Sequence, residues 1–340
     1  MKSLRPVPKV IISILNWNKS SDTLACIDSI LQLDKHAASF EVTVIDNGSS
    51  DTEWETLLAG TAGKSIQVLR EAKNIGFAAG HNIVMRRALE QKVDFIWLVN
   101  NDTLVRPDTL SKLLDVFASD PVCGAVAPVS VATHDENVMD FAGSIHDWKN
   151  LTQARPQTVA EVALLEKKFP LDMWVSGAAM LIRTRALKEV GLLDERYFAY
   201  YEDTDFGARL ARHGWTSRMA FDATIRHECY DGVVTNRPPY FFYLLQRNFF
   251  LFWIKNTPAS YRKLLWLRLL DHSFFQANRL KYLDLGKKEE AVLLGIHDAI
   301  FRKFGAPKLN KKVPWSMRFL QSIFWLQHRG VLERLIPKNQ

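Results

Sequence analysis

Paired cysteines are absent from this chain. Its 340 residues hold only Cys26, Cys123 and Cys229, too far apart for a CxxC zinc site and too few for a disulfide framework, so a reducing cytosol is the expected setting. Long apolar runs are missing too. The first, Val10 to Leu15, stops at Asn16, too short for the h-region of a signal peptide, and no stretch reaches the roughly 18 apolar residues of a crossing helix. Glycine-rich phosphate loops also fail. "AGTAGKS" (59–65) carries Leu58 where GxxxxGK[ST] needs glycine and follows a helical pattern, and "GFAAG" (76–80) does not complete GxGxxG. A P-loop or a Rossmann dinucleotide site is therefore not expected.

What is present is an ordinary globular composition, 47% hydrophobic and 24% charged, with ample material for a core. The 10 Trp and 20 Phe are more aromatic surface than a core alone requires. The net charge of +7 is uneven: Tyr240 to Gln340 holds 18 Lys and Arg against 6 Asp and Glu, which leaves 26 against 31 before it. A basic tail is either a solvated face or a surface that seeks phosphate, on nucleic acid or anionic lipid.

The first 120 residues alternate strand-like and helix-like segments: "KVIISIL", "FEVTVID", "SIQVLRE" and "FIWLVNN" as strands, with "KSSDTLACIDSILQL", "SDTEWETLLAG", "FAAGHNIVMRRALEQ" and "RPDTLSKLLDVFASD" as helices. Such alternation predicts a parallel sheet covered by helices, with ligands beyond the carboxyl ends of the strands. Those ends read "NWN" (16–18), "DNGSSD" (46–51), "REAKNIGF" (70–77) and "NND" (100–102), four polar clusters expected on one edge. Residues 126 to about 171 read as mixed and loop-rich, "MWVSGAAMLIRTRALKEVG" as a strand and a helix, and the chain from Pro239 as helical, with breaks near Gly286, Pro307 and Pro314.

Several residues carry candidate chemistry. Asp46 and Asp51 suit a nucleobase and ribose, or a strand-to-helix turn in which Ser50 or Asp51 caps the helix. Asp102 ends a strand with no basic residue before Arg106, so it suits a hard divalent cation, or else a helix cap. Glu202, Asp203 and Asp205 crowd like charges that raise one another's pKa, as a general base requires; ion pairs with Arg209 and Arg212 are the structural alternative. His227 follows a strand and is either a structural histidine or a ligand.

Seven motifs in order, "ISILNWN", "VTVIDNGSSD", "NIGFAAGHN", "WLVNND", "SGAAMLIR", "YFAYYEDTDFGARLARHGW" and "IRH", resemble the inverting family 2 glycosyltransferases of the GT-A fold, rhamnosyltransferase-like branch. The resemblance runs from about Val10 to His227. It implies an α/β fold, a mixed Rossmann-like sheet flanked by helices with a C-terminal helical region, a catalytic domain over 1–238 and a basic-aromatic region over 239–340. It further implies that Asp46 reads the pyrimidine base, with Asn16, Asn18, Asn74, Gly76, Asn82 and Asn101 lining the donor nucleotide and its diphosphate. Asp102 and His227 would hold Mg²⁺ or Mn²⁺, and Asp203 would be the base. Trp174, Gly177 and Glu202 would meet the acceptor, Trp174 being equally readable as a core tryptophan. "NND" stands where the family has DxD, so Asn100 replaces an acid that often meets the ribose of a UDP donor. The variant is familiar in relatives using dTDP-L-rhamnose, so a dTDP- or UDP-sugar is the expected donor and a glycan or lipid-linked glycan of a bacterial surface polysaccharide the acceptor.

The aromatic-basic tail suits an interfacial helix on the inner face of the membrane, or equally a helical subdomain or homodimer contact. Two rival functions fit the residues less well. A sugar-phosphate nucleotidyltransferase would need a basic glycine-rich loop where this chain has "NWNKSSD", and a nucleic-acid or lipid-surface module would leave Asp46, Asp102 and Asp203 without a purpose. Nucleic acid is not expected as a partner.

Overall fold

A computed structural model describes residues 7–227 and 236–336. Cys229 lies outside the described residues; Cys26 and Cys123 are buried thiols. Burial pushes the Cys123 thiol up to about 12, and the Cys26 thiol higher still.

The chain divides into two compact units. The first holds most residues up to Arg226 and His227, and the second holds the helices from Pro239 together with Trp148–Leu151 and Arg196–Tyr201. In the first unit β1 (Lys9–Asn16), β2 (Ser39–Asp46), β3 (Ile66–Arg70) and β4 (Phe95–Asn100) are parallel, and α1 (Ser20–Ile30), α2 (Asp51–Thr61) and α3 (Phe77–Glu90) connect them. After β5 (Thr103–Val105) and α4 (Thr109–Ser119) comes β6 (Cys123–Ala132), which the sequence did not reveal as a strand. All ten of its residues are buried, so it shows no alternation, and Pro128 interrupts it beside an irregularity in its pairing.

Beyond β6 lie β7 (Met139–Phe141), β8 (Ser144–Asp147), β9 (Thr152–Gln153), α5 (Val159–Lys168), β10 (Met173–Trp174), β11 (Ala179–Arg183), α6 (Thr184–Val190), α7 (Glu202–Arg212) and β12 (Thr216–His227). The main sheet runs β3-β2-β1-β4-β11-β6-β12-β5, with β7 against β6; β10, β8 and β9 form a smaller one. Because β11 is antiparallel to both β4 and β6, the sheet is mixed and not wholly parallel.

Strand pleating sends Val10, Ile12 and Ile14 to the face covered by α1 and α4, while Ile11 joins Ile96, Leu98 and α3 on the other. Both faces are covered, which is why the strands read as continuous apolar runs. In the second unit α8 (Pro239–Asn256), α9 (Leu265–Tyr282), α10 (Gly286–Ile300) and α11 (Trp315–Leu335) pack on one another. Among the described residues no helix is long and apolar enough to cross a membrane.

Inside this unit the backbone of Phe198, Tyr200 and Tyr201 is left-handed, with φ of 66°, 69° and 75°, a conformation that strains residues bearing a Cβ. Asn248 compensates by donating its side-chain N–H groups to the carbonyls of Tyr197, Ala199 and Tyr200 at 2.8–2.9 Å. The neighbouring Arg247, fully buried, donates to the Tyr197 carbonyl at 2.8 Å.

Candidate active site

Strand register assembles the site. Asn16 pairs with Asp46, Asp46 with Arg70, and Leu15 with Asn100, so the polar residues that end β1 to β4 fall in one row across the sheet. At its inner end Asn16 donates to Asp46 Oδ1 at 2.8 Å and accepts from Thr23 Oγ1 at 2.7 Å. Asp46 Oδ2 lies 3.3 Å from the Ser49 N–H and 3.7 Å from Arg70 Nε. Both Asn16 and Asp46 are fully buried and fix the shape of this corner, which more open groups such as Asn18 and Arg70 surround. Asn18 accepts from the Ser50 N–H at 2.9 Å. Ser50 caps α2 by accepting from the Glu53 N–H, as capping chemistry predicted.

The 74–76 turn is fastened to this row by Asn47, which sequence reasoning passed over. Asn47 donates to Asn74 Oδ1 at 3.2 Å and to the Gly76 carbonyl at 3.3 Å, and accepts from the Ile75 N–H at 3.0 Å. Gly76 stands before α3 with φ 94°. Gly48, φ 74°, lies so close to the turn that a Cβ would come within 2.3 Å of the Lys73 carbonyl carbon. Only glycine fits there, and the DNGSSD spelling carried that signal. Asn82 does something else than expected: both ends of its amide are engaged, with the Leu193 carbonyl and N–H at 2.9 and 3.0 Å and with Glu195, so it clamps a loop to α3 from the interior.

Asn101 donates to Thr23 Oγ1 at 3.1 Å. Asp102 lies between β4 and β5, and because β5 pairs with the end of β12, Thr103 opposite His227, the Asp102 carboxylate comes 3.3 Å from His227 Nε2. The other ring nitrogen, Nδ1, is 3.0 Å from Asp140 Oδ2, which also accepts from Ser130 Oγ at 2.9 Å. Asp140 had no signal in the sequence. Burial lowers the His227 pKa, but the two carboxylates outweigh it and raise it to about 9. Asp102 Oδ1 is the oxygen that faces His227 Nε2, an ion pair whenever the imidazole is protonated. A carboxylate and an imidazole brought together in this way are donors of the kind a divalent ion shared with phosphate oxygens can use, once the imidazole gives up its proton. Among the described residues no group of three or more His, Cys, Asp or Glu is arranged to hold an ion unaided; Mg²⁺ characteristically takes one or two carboxylates and completes its shell from substrate and water.

The three acids at the start of α7 separate into distinct environments. Asp205 pairs with Arg209 at 2.8 Å, and Arg209 also donates to the carbonyls of Val190 and Leu192, a structural clamp. Glu202 is buried, with Oε2 unpartnered; burial first, and then Asp203, holds its pKa well above the ordinary carboxylate range. Asp203 Oδ2 accepts from the Gly177 N–H at 3.0 Å and Oδ1 from the Thr204 N–H at 2.6 Å. Burial raises its pKa against these hydrogen bonds.

Gly177 belongs to the turn into β11, and the next residue, Ala178, accepts from the Asn100 N–H at 2.8 Å. The Asn100 and Asp203 sides of the site are thus joined through two consecutive residues. Phe77 and Asp203 approach Gly177 most closely, leaving 3.3 and 3.6 Å to a Cβ built there, so a side chain at this position would press on the Phe77 ring. Trp174 is a core residue, 8% exposed, its ring against Phe141 and parallel to His146, so it offers no open stacking face.

A family model described as glycosyltransferase like family 2 matches residues 8–249. The chain is 29% identical over 205 residues to an N-acetylglucosaminyl-diphospho-decaprenol L-rhamnosyltransferase of Mycobacterium tuberculosis, a match covering 55% of this chain and 66% of that protein, just under two thirds of its length. It is 23% identical over 227 residues to the galactofuranosyltransferase GlfT1 of the same organism, 64% of this chain and 70% of the other. Two solved structures share the fold, each at 15% identity. One is a mannosyltransferase from Pyrobaculum calidifontis in complex with GDP-Man and Mn²⁺, with a TM-score of 0.54 over 98% of this chain and 88% of the other. The second is S. aureus TarS 1–349, with a TM-score of 0.56 over 96% and 90%.

Proposed function

The chain belongs to the family 2 glycosyltransferases, and from that premise we propose that it is a metal-dependent, inverting enzyme that moves L-rhamnose from dTDP-L-rhamnose to a hydroxyl of a lipid-linked glycan in surface polysaccharide synthesis. The observation that carries this reading is the Asn100 to Ala178, Gly177 to Asp203 connection, which ties the cation side of the edge to a proton acceptor.

The nucleotide end of the donor lies at the corner shaped by Asn16 and Asp46, against Asn18 and Asn101, and the diphosphate runs toward the 74–76 turn and the amino end of α3, where free N–H groups favour anions. Asp102 and His227 hold Mg²⁺ or Mn²⁺, which, when bound, offsets the charge that develops on the departing nucleoside diphosphate. Asp203 takes the proton of the acceptor hydroxyl as that oxygen bonds to the anomeric carbon. The bond from that carbon to the diphosphate oxygen breaks on the opposite face, and the configuration inverts. A pKa lifted by burial makes Asp203 a better acceptor than a solvated aspartate. Beside it, Glu202 has its pKa held well above the ordinary carboxylate range by burial and by Asp203, and its unpartnered Oε2 is assigned to the acceptor.

Asn100 in place of an acid supports the deoxyribose donor, and the lipid diphosphate named in the mycobacterial rhamnosyltransferase supports the acceptor class. The test is a panel of dTDP- and UDP-sugars, with and without Mg²⁺ or Mn²⁺, scored by nucleoside diphosphate release. Release from dTDP-L-rhamnose only with metal is the expected result. Release from a UDP-sugar alone would reject the donor, and release undiminished by chelator would reject the metal.

A further inference from the structure

The last helix of the second unit has two apolar rows and only one is used. Met317, Gln321, Phe324, His328 and Leu332 recur at helical spacing and face the other helices: Phe324 stacks on Phe274 at 4.9 Å, Gln321 donates to Glu289 and His328 meets Asp271. Offset by two residues, and hence about 200° around the axis, stand Trp315, Phe319, Ile323 and Leu326. They are 79%, 58%, 50% and 83% exposed. Four large apolar side chains aligned in water are not ordinary surface scatter.

Charge identifies what covers them. From Ala299 to Leu332 the sequence has seven Lys and Arg and no Asp or Glu. Arg318 is paired with Glu289 and Glu290, and Arg329 with Glu333. Lys308, Lys311 and Lys312, on the approach to the helix, are exposed and make no ion pair among the described residues. A second copy of this chain would bring the same cations against one another in an isologous contact, whereas an anionic lipid surface complements both the row and the charge.

We propose that α11 lies in the plane of an anionic membrane surface, its Trp315–Leu326 row sunk among the acyl chains and Lys308, Lys311 and Lys312 at the phosphates. This rests on the reading of the acceptor as lipid-borne only for its purpose; the contact itself is independent of sugar transfer. It also accords with a helix that is not apolar enough to cross.

The test is flotation of the full chain with vesicles of equal phosphatidylglycerol and phosphatidylcholine, against phosphatidylcholine alone. The wild type is expected on the anionic vesicles only, less so as salt rises. Phe319→Ser with Leu326→Ser, and separately Lys308→Glu, Lys311→Glu and Lys312→Glu together, each reduce binding at least about tenfold, with thermal melting unchanged. Wild-type protein that stays unbound, or variants that float as well as it does, would overturn the proposal. So would light scattering that finds a dimer dissolved by the Phe319 and Leu326 changes. Transfer to a water-soluble acceptor, measured in parallel, should survive in both variants, which separates failure here from failure of the enzymatic reading.

Discussion

Gly177 donates its backbone N–H to Asp203 Oδ2 at 3.0 Å, and a main-chain group cannot be rotated away as a side chain can. The carboxylate is thus aimed before any substrate arrives. With Oδ1 held by both the N–H and the Oγ1 of Thr204, Oδ2 is the oxygen that keeps a lone pair, and the geometry suits a fixed proton acceptor.

Asp203→Asn keeps the shape and removes the basicity. Turnover should fall by about 10² to 10⁴-fold with donor affinity unchanged, read by nucleoside diphosphate release and by calorimetric titration of the donor. Near wild-type rates would dismiss Asp203 as the base.

Asp102→Ala should weaken metal-dependent donor binding more than it slows the bound complex. Asp140→Asn acts one step further out by losing the partner of His227 Nδ1, and should cost about 10 to 100-fold in Mn²⁺ affinity. Paramagnetic titration of Mn²⁺ with dTDP present checks both; unchanged Mn²⁺ binding in each would remove this cluster from the metal reading.

Glu202 links pH to stability. Its folded pKa lies well above the ordinary carboxylate value because of burial, so the folded state holds this proton more tightly than the unfolded one. The associated stability is complete below about pH 4 and is lost as pH rises toward the folded pKa. Glu202→Gln, which mimics the protonated form, should therefore be the more stable protein at neutral pH, with the advantage vanishing in acid. Urea unfolding at several pH values measures it, and a constant difference across the range would refute the assignment.

Gly48→Ala forces a Cβ to 2.3 Å from the Lys73 carbonyl carbon at φ 74°. A loss of at least about 2 kcal/mol is expected in chemical denaturation, with weaker donor binding because the 74–76 turn must move.

The sequence exposed the four parallel strands and the polar row at their ends, since hydrophobic runs closed by Asn and Asp are a local signal. It hid β6, whose ten residues are all buried and show no period. Asp140 was equally hidden: it matters through a histidine 87 residues away, and no local pattern encodes such a meeting. Asn82 and Trp174 were legible only as motif positions. A motif position records that a residue type is needed, not whether it faces ligand or interior, and here Asn82 bonds to Leu193 while the Trp174 ring meets Phe141.

The three carbonyls gripped by Asn248 set a limit on how this molecule can be shortened. Residues 197–201 run directly into the acids of α7, yet the amide that keeps their unfavourable backbone in place comes from a helix some fifty positions downstream. A chain ended after residue 238 would retain every described strand and the acids of α7 and still release that peptide to relax. The minimal working length therefore extends well past the last strand, into helices that a sheet-based definition of the domain would discard.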